Sequence, residues 1–125
     1  MLILFVIIGL AIITVSWSYV TARVQARDEQ RLIDIGLIQK ALTIYFTENG
    51  FYPYAGIIDE PRGMDNYLQP WPTPPPSDGS CSAIQNRYVY AQKSNGSDYS
   101  LSFCLGRQTN GLSAGEHVLS LKGIQ

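Results

Sequence analysis

The first 22 residues of this 125-residue chain carry no charged side chain, and the chain as a whole has one histidine, two cysteines and no block of like charge. Each shortage excludes something. His117 stands alone without a ligand-spaced partner, so a metal centre built on several imidazoles is out of reach, and the residue is expected at a strand edge. Nine lysines and arginines oppose ten aspartates and glutamates, for a net charge of −1. Without clustered cations there is no surface to displace counterions from nucleic-acid phosphates, and no polybasic patch for a membrane. Asp78, Asp98 and Glu116 are too scattered to supply the oxygen shell of a calcium ion. Cys81 and Cys104 form an even pair, which favours a disulfide over a nucleophile that would need a base beside it. No residue is therefore assigned to catalysis, to a cofactor or to a metal, and the chain is not expected to be an enzyme.

What the sequence does have is apolar length. Met1 to Ile13 is apolar apart from Gly9, and about 20 such residues at a rise of about 1.5 Å each cross a hydrocarbon layer of about 30 Å. A cleaved secretory signal would want a basic start and a small-residue cleavage site, and neither stands out. A buried soluble helix would need a larger domain to wrap it, which leaves a membrane-inserted helix as the expectation. Its orientation is contested. Arg23 and Arg27 follow the span with nothing basic before it, which places the remainder in the cytoplasm by the positive-inside rule, whereas a disulfide pair points outside. A basic leader ahead of Met1 reconciles the two.

Past residue 22 the pattern becomes one-sided. Ile35, Ile38, Leu42 and Tyr45 follow at spacings of 3, 4 and 3, one stripe of an amphipathic helix, so a single helix is expected from near residue 1 to about residue 48. Asp28, Gln39 and Lys40 are placed off that stripe, and Arg31 at its N-terminal end with its side chain reaching solvent. Asn49-Gly50 ends the helix and Pro53 keeps it from resuming. A connector over residues 51–80 holds all seven prolines, with one helical turn expected near Met64 to Leu68. Beyond Cys81 the period changes to two. "NRYVYAQ" (86–92) and "DYSLSFCLG" (98–106) read as strands joined through Lys93 to Ser97, with a third strand at His117 to Leu121. Tyr99, Leu101 and Phe103 fall on one face and Ser100, Ser102 and Cys104 on the other. Asn95-Gly96-Ser97 also fits an N-glycosylation acceptor, but a hairpin turn explains the same residues. Tyrosines 45, 88 and 99 have core spacing rather than the look of a stacking surface.

The expected fold is α+β: residues 1–22 as the membrane-facing half of the long N-terminal helix, and residues 23–125 as a head in which that helix covers a small antiparallel sheet of about three strands over residues 86–121. A bridge between Cys81 and Cys104 would tie the proline loop to the second strand; two reduced, buried thiols are the alternative.

The apolar helix with "VIIGLAII" at its centre, followed by "ARVQARDEQRLIDIGLIQKALTIYFTENGFYP", resembles the type IV pilin-like proteins, in particular the major pseudopilins of type II secretion systems. The similarity is closest over residues 6–53 and weaker over "YVYAQKSNGSDYSLSFCLG" and "GLSAGEHVLSLKGIQ". It implies a pilin-like fold and a structural subunit held in the bacterial inner membrane by one helix, its head outside the cytoplasm. Such subunits have a basic leader removed by a prepilin peptidase, which also methylates the new N-terminus. An assembly ATPase and a membrane platform protein then drive self-association into a helical filament. Matching Gly9 to the family's mid-helix glycine places the mature start about five residues before Met1, with a glutamate that this sequence does not show. Otherwise Phe5 stands in its place. The helix-bending proline of many members is also missing, and Ser16, Trp17 and Ser18 occupy its neighbourhood. The family's calcium-binding loop is not carried over to this tail.

The resemblance assigns membrane retention and filament packing to Leu2, Ile3, Leu4, Phe5, Val6, Ile7, Ile8, Gly9, Leu10, Ile12, Ile13 and Val15. Arg23, Arg27, Asp28, Glu29 and Arg31 become candidates for ion pairs between neighbouring subunits, against the plainer reading of a solvated helix face. A second class of function stays open: a membrane-anchored monomeric module whose "PWPTPPP" segment enters an aromatic groove. Secretion, adhesion, motility and DNA uptake are not separated by this chain.

Overall fold

The computed structural model describes residues 1–125 as one long helix followed by a four-stranded antiparallel sheet, an α+β architecture. Helix α1 runs Leu2–Asn49 without interruption, about 70 Å at the standard rise. It stops where the sequence turns to Asn49-Gly50. Gly50 takes a left-handed φ of 78° and its N–H closes on the carbonyl of Phe46, a conformation glycine adopts without a Cβ penalty.

The strands are β1 (Val89–Lys93), β2 (Asp98–Leu105), β3 (Gly115–Ser120) and β4 (Gly123–Ile124), in meander order. The fourth is a two-residue edge, too short to leave an alternating pattern in the sequence. A 3-10 turn over Ser94–Gly96 links β1 to β2, with Ser94, Asn95 and Gly96 all at positive φ.

Register puts Tyr90 opposite Leu101 and Leu101 opposite Leu119, an apolar row across the middle of the sheet. The C-terminal half of α1 lies over that row through Ile35, Ile38, Ala41 and Leu42, all buried. The residues from 51 to 80 close the open side of this core. They contribute Tyr52, Pro53 and Met64, and the expected single turn is present, with the amides of Tyr67 and Leu68 both donating to the Met64 carbonyl. Cys81 and Cys104 are joined, Cα to Cα 5.8 Å, which pins the end of the proline loop to the outer face of β2 and explains why Cys104 is buried on a face otherwise made of Ser100 and Ser102.

His117 departs from the strand-edge expectation. It sits in β3 directly opposite Phe103, stacked on that ring at 5.6 Å and only 7% exposed, because alternation from Leu119 places it on the core face. One ring nitrogen reaches the Ser113 carbonyl.

Candidate functional site

No enclosed polar pocket marks this molecule; its unusual feature is an apolar rod. α1 is the one helix long and apolar enough to cross a membrane, and none of its most apolar stretch is buried by its own chain. Of the residues assigned to packing, Leu2, Ile3, Leu4, Phe5, Val6, Ile7, Ile8, Leu10, Ile12, Ile13 and Val15 are all exposed, and Gly9 is half-buried. Side chains of this kind, exposed on every side of a helix, leave water by entering lipid or by packing against other helices.

The exposed apolar surface does not stop where the head begins. Ile33, Leu37 and Ile44 lie on the side of α1 turned away from the sheet, each more than two-fifths exposed. Their spacings of 4 and 7 put them on one line, which continues downward through Ala26, Ala22, Tyr19, Val15, Ile12 and Ile8 by steps of 3, 4 and 7. The second half of α1 is therefore apolar on two sides, one covered by its own sheet and one uncovered. This second line was legible in the sequence and is obscured there by the stronger stripe of Ile35, Ile38 and Leu42.

Between the rod and the head lies a collar of charges, and here two expectations are corrected. Asp28 and Arg31 do not reach solvent or a neighbouring subunit: both side chains are fully buried and paired with each other at 2.6 Å. The stripe that starts at Ile35 extends backwards at spacings of 4 and 3 through Arg31 to Asp28, so the helix turns both charges inward. Burial is tolerated because the partners are complete. Asp28 accepts from the backbone N–H of Gly106 (2.7 Å) and of Arg107 (2.9 Å) and from the Thr109 hydroxyl (3.1 Å). Arg31 also donates to Asp78 (3.1 Å), to the Pro76 carbonyl (2.9 Å) and to Asn86 (3.2 Å). A buried charge without such partners would cost several kcal/mol.

Arg27 makes one further ion pair, to the other oxygen of Asp78 at 3.0 Å, from a partly exposed position. Arg23 and Glu29 stay exposed on the helix, and Glu29 accepts only a long 3.4 Å contact from Gln25. Of the five charges proposed for contacts between subunits, these two alone present their side chains to the outside without an ion pair. One turn further along, Asp34 accepts from the hydroxyl of Tyr88 at 2.8 Å. Burial, reinforced by that carboxylate, pushes the Tyr88 phenol far above its ordinary pKa of about 10.

Sequence reasoning missed Asp34, Asp78, Arg107 and Thr109 as members of this network. Asp34 had a signal, being one turn from Arg31 on the same side of the helix. The other three come from loops whose position depends on the tertiary fold.

The proline segment is fastened down rather than free. The Pro75 and Pro76 carbonyls accept from Asn86 and Arg31, and the Trp71 indole nitrogen is buried within the loop. The ridge itself is not covered, with Pro70, Thr73 and Pro76 exposed and Pro72, Pro74 and Pro75 half-buried, so the tethering fixes the segment's conformation and leaves the monomeric-module reading open. No family model, curated protein or solved structure matches the chain.

Proposed function

We propose that this chain is a pilin-like filament subunit, of a type IV pilus or a type II secretion pseudopilus, which acts by polymerising rather than by catalysis. Before assembly it is held in the bacterial inner membrane by the charge-free half of α1, with its head outside the cytoplasm, where a disulfide is stable. A prepilin peptidase, a platform protein and an assembly ATPase are the partners this reading requires.

The observation that carries it is the pair of uncovered apolar surfaces on one continuous helix. The lower half of α1 is exposed all round, and the line of Ile33, Leu37 and Ile44 prolongs that surface along the back of the head. An anchor alone accounts for the lower half only. A helix that must pack against copies of itself, staggered along a filament, accounts for both, since the upper line of one copy can cover part of the lower half of another.

The test is expression of the full chain with a pilus or pseudopilus assembly machinery, followed by electron microscopy of sheared material. Thin filaments are expected from the wild type. Leu37→Lys, at a position 48% exposed, is expected to leave the head folded and to reduce filament yield at least about tenfold, as a charge would have to be desolvated at every repeat. A wild-type protein that inserts in the membrane but stays dispersed beside an active machinery would overturn the proposal.

A further inference from the structure

We propose that the cleft where α1 leaves the head binds the phosphate of an anionic phospholipid, with Arg107 as the phosphate-holding residue. The inference rests on the membrane reading above.

The cleft has a volume of about 370 Å3. Trp17, Val20 and Val24 form its helix wall, and Gly79, Gly106 and Arg107 its head side. Two glycines shape it, Gly79 by letting its loop pack directly on the Gly106 backbone and Gly106 by lying against Val24 of α1. Gly79 stands at φ +54°, and a Cβ there would collide with the Gly106 carbonyl oxygen; a Cβ on Gly106 would lie 2.9 Å from the Val24 side chain. Backbone, rather than side chain, therefore meets the helix at this level, and open space is left beside Trp17 and Val20. The same two residues line an apolar groove that continues down the rod past Ile12, Ile13 and Ser16. An open surface groove with an apolar wall running into the hydrocarbon layer and a cation at its upper rim matches a phospholipid, acyl chain below and phosphate above.

The charge at the rim is available. Arg107 makes no ion pair, and its only side-chain hydrogen bond is a 3.4 Å contact from Nη1 to the Thr21 carbonyl, so other guanidinium N–H groups remain to be satisfied. That contact also fixes its height, at the level of Thr21, just above Trp17 and Tyr19, the aromatic pair expected at a membrane–water boundary. Arg23 lies half a turn further up α1, also without an ion pair. The acids nearby do not compete. Asp28 is sealed beneath Arg31 and three other donors, Asp78 is held by Arg27 and Arg31, and Glu29 is about 12 Å further along the helix axis than Thr21. Arginine suits the role, because its planar fork holds two phosphate oxygens at once.

The experiment uses the full chain purified in mild detergent, offered phosphatidylglycerol or phosphatidylcholine, with retained lipid counted by native mass spectrometry. The wild type is expected to retain phosphatidylglycerol over phosphatidylcholine by about fivefold, the factor expected for one cation at an anionic surface. Arg107→Gln should bring the ratio close to one, Arg107→Lys should keep most of it, and Arg62→Gln, on a distant exposed loop, should leave it unchanged. Equal retention of both lipids by the wild type, or a preference indifferent to Arg107→Gln, overturns the assignment. Alkaline extraction of the reconstituted wild type separates the two levels. Release from the bilayer would sink the membrane reading itself, whereas retention without lipid preference would remove the phosphate site alone.

Discussion

Arg27 and Arg31 stand one helical turn apart, both bind Asp78, and truncating them should have very different consequences. Arg31 is fully buried with four acceptors, Asp28, Asp78, Asn86 and the Pro76 carbonyl. Arg31→Ala strands the Asp28 carboxylate in the interior and unfastens the proline loop; breaking a buried pair from one side costs about 3–5 kcal/mol. A domain of this size is stabilised by only about 5–15 kcal/mol, so much of the head's stability rests on this residue. Arg27 makes a single partly exposed pair, and Arg27→Ala should cost about 1 kcal/mol or less.

Urea unfolding of the full chain in detergent micelles, followed by the near-ultraviolet circular dichroism of the head tyrosines, reads the difference. With a slope of about 2 kcal/mol per molar urea, Arg31→Ala should lower the midpoint by about 2 M and Arg27→Ala by no more than about 0.5 M. A paired change, Arg31→Met with Asp28→Asn, should recover part of the loss, because it removes the stranded charge and keeps one side-chain oxygen as acceptor for one of the two N–H groups, of Gly106 or Arg107, that the carboxylate satisfies. Equal midpoints for Arg31→Ala and Arg27→Ala would refute the reasoning, since burial would then not be setting the cost.

Other expectations follow from the same structure. Burial, with smaller contributions from Tyr52 and Asp98, pushes the Tyr99 phenol up to about 12, and burial raises Tyr88 and Tyr90 further. These groups are neutral in the fold, so their contribution is complete below the unfolded value of about 10 and is lost as pH rises towards 12 and beyond. Tyrosinate absorbance should show them ionising together with alkaline unfolding rather than before it, and early independent ionisation would contradict their burial. Reduction of Cys81–Cys104, which spans a sequence separation of 23, should cost about 3 kcal/mol on the chain-entropy account, seen as a lower melting temperature in reductant that Cys81→Ala with Cys104→Ala reproduces without it. Gly79→Ala should destabilise the head by about 2 kcal/mol or more, whereas Gly111→Ala, also at positive φ but facing open space, should cost only about 1. Comparable losses from the two in thermal melts would contradict the close approach at Gly79.

Most of the architecture was legible because it depends on local rules. Absence of charge up to residue 22, a stripe at spacings of 3 and 4, Asn49-Gly50 and the later alternation each bias the backbone by themselves, and together they determine the rod, its end and the strands. The even cysteine pair suggested the bridge for a similar reason. β4 was not legible, since two residues carry no period. His117 was read as an edge residue from its polarity, whereas alternation from Leu119 within β3 puts it on the core face against Phe103.

The charged collar divides the two kinds of information most clearly. The spacing of Asp28 and Arg31 continues the core line of Ile35 and Ile38, a periodicity present in the sequence that their charge masked, so that Asp28 was read as off the stripe and Arg31 as reaching solvent. Only the tertiary structure decided that this position is tenable. Asp78, Asn86, Gly106, Arg107 and Thr109 arrive from 47 to 81 residues away to satisfy them. A helix's periodicity decides which way a side chain points, but whether a charge can stay there depends on partners that the folded chain alone brings within hydrogen-bonding distance.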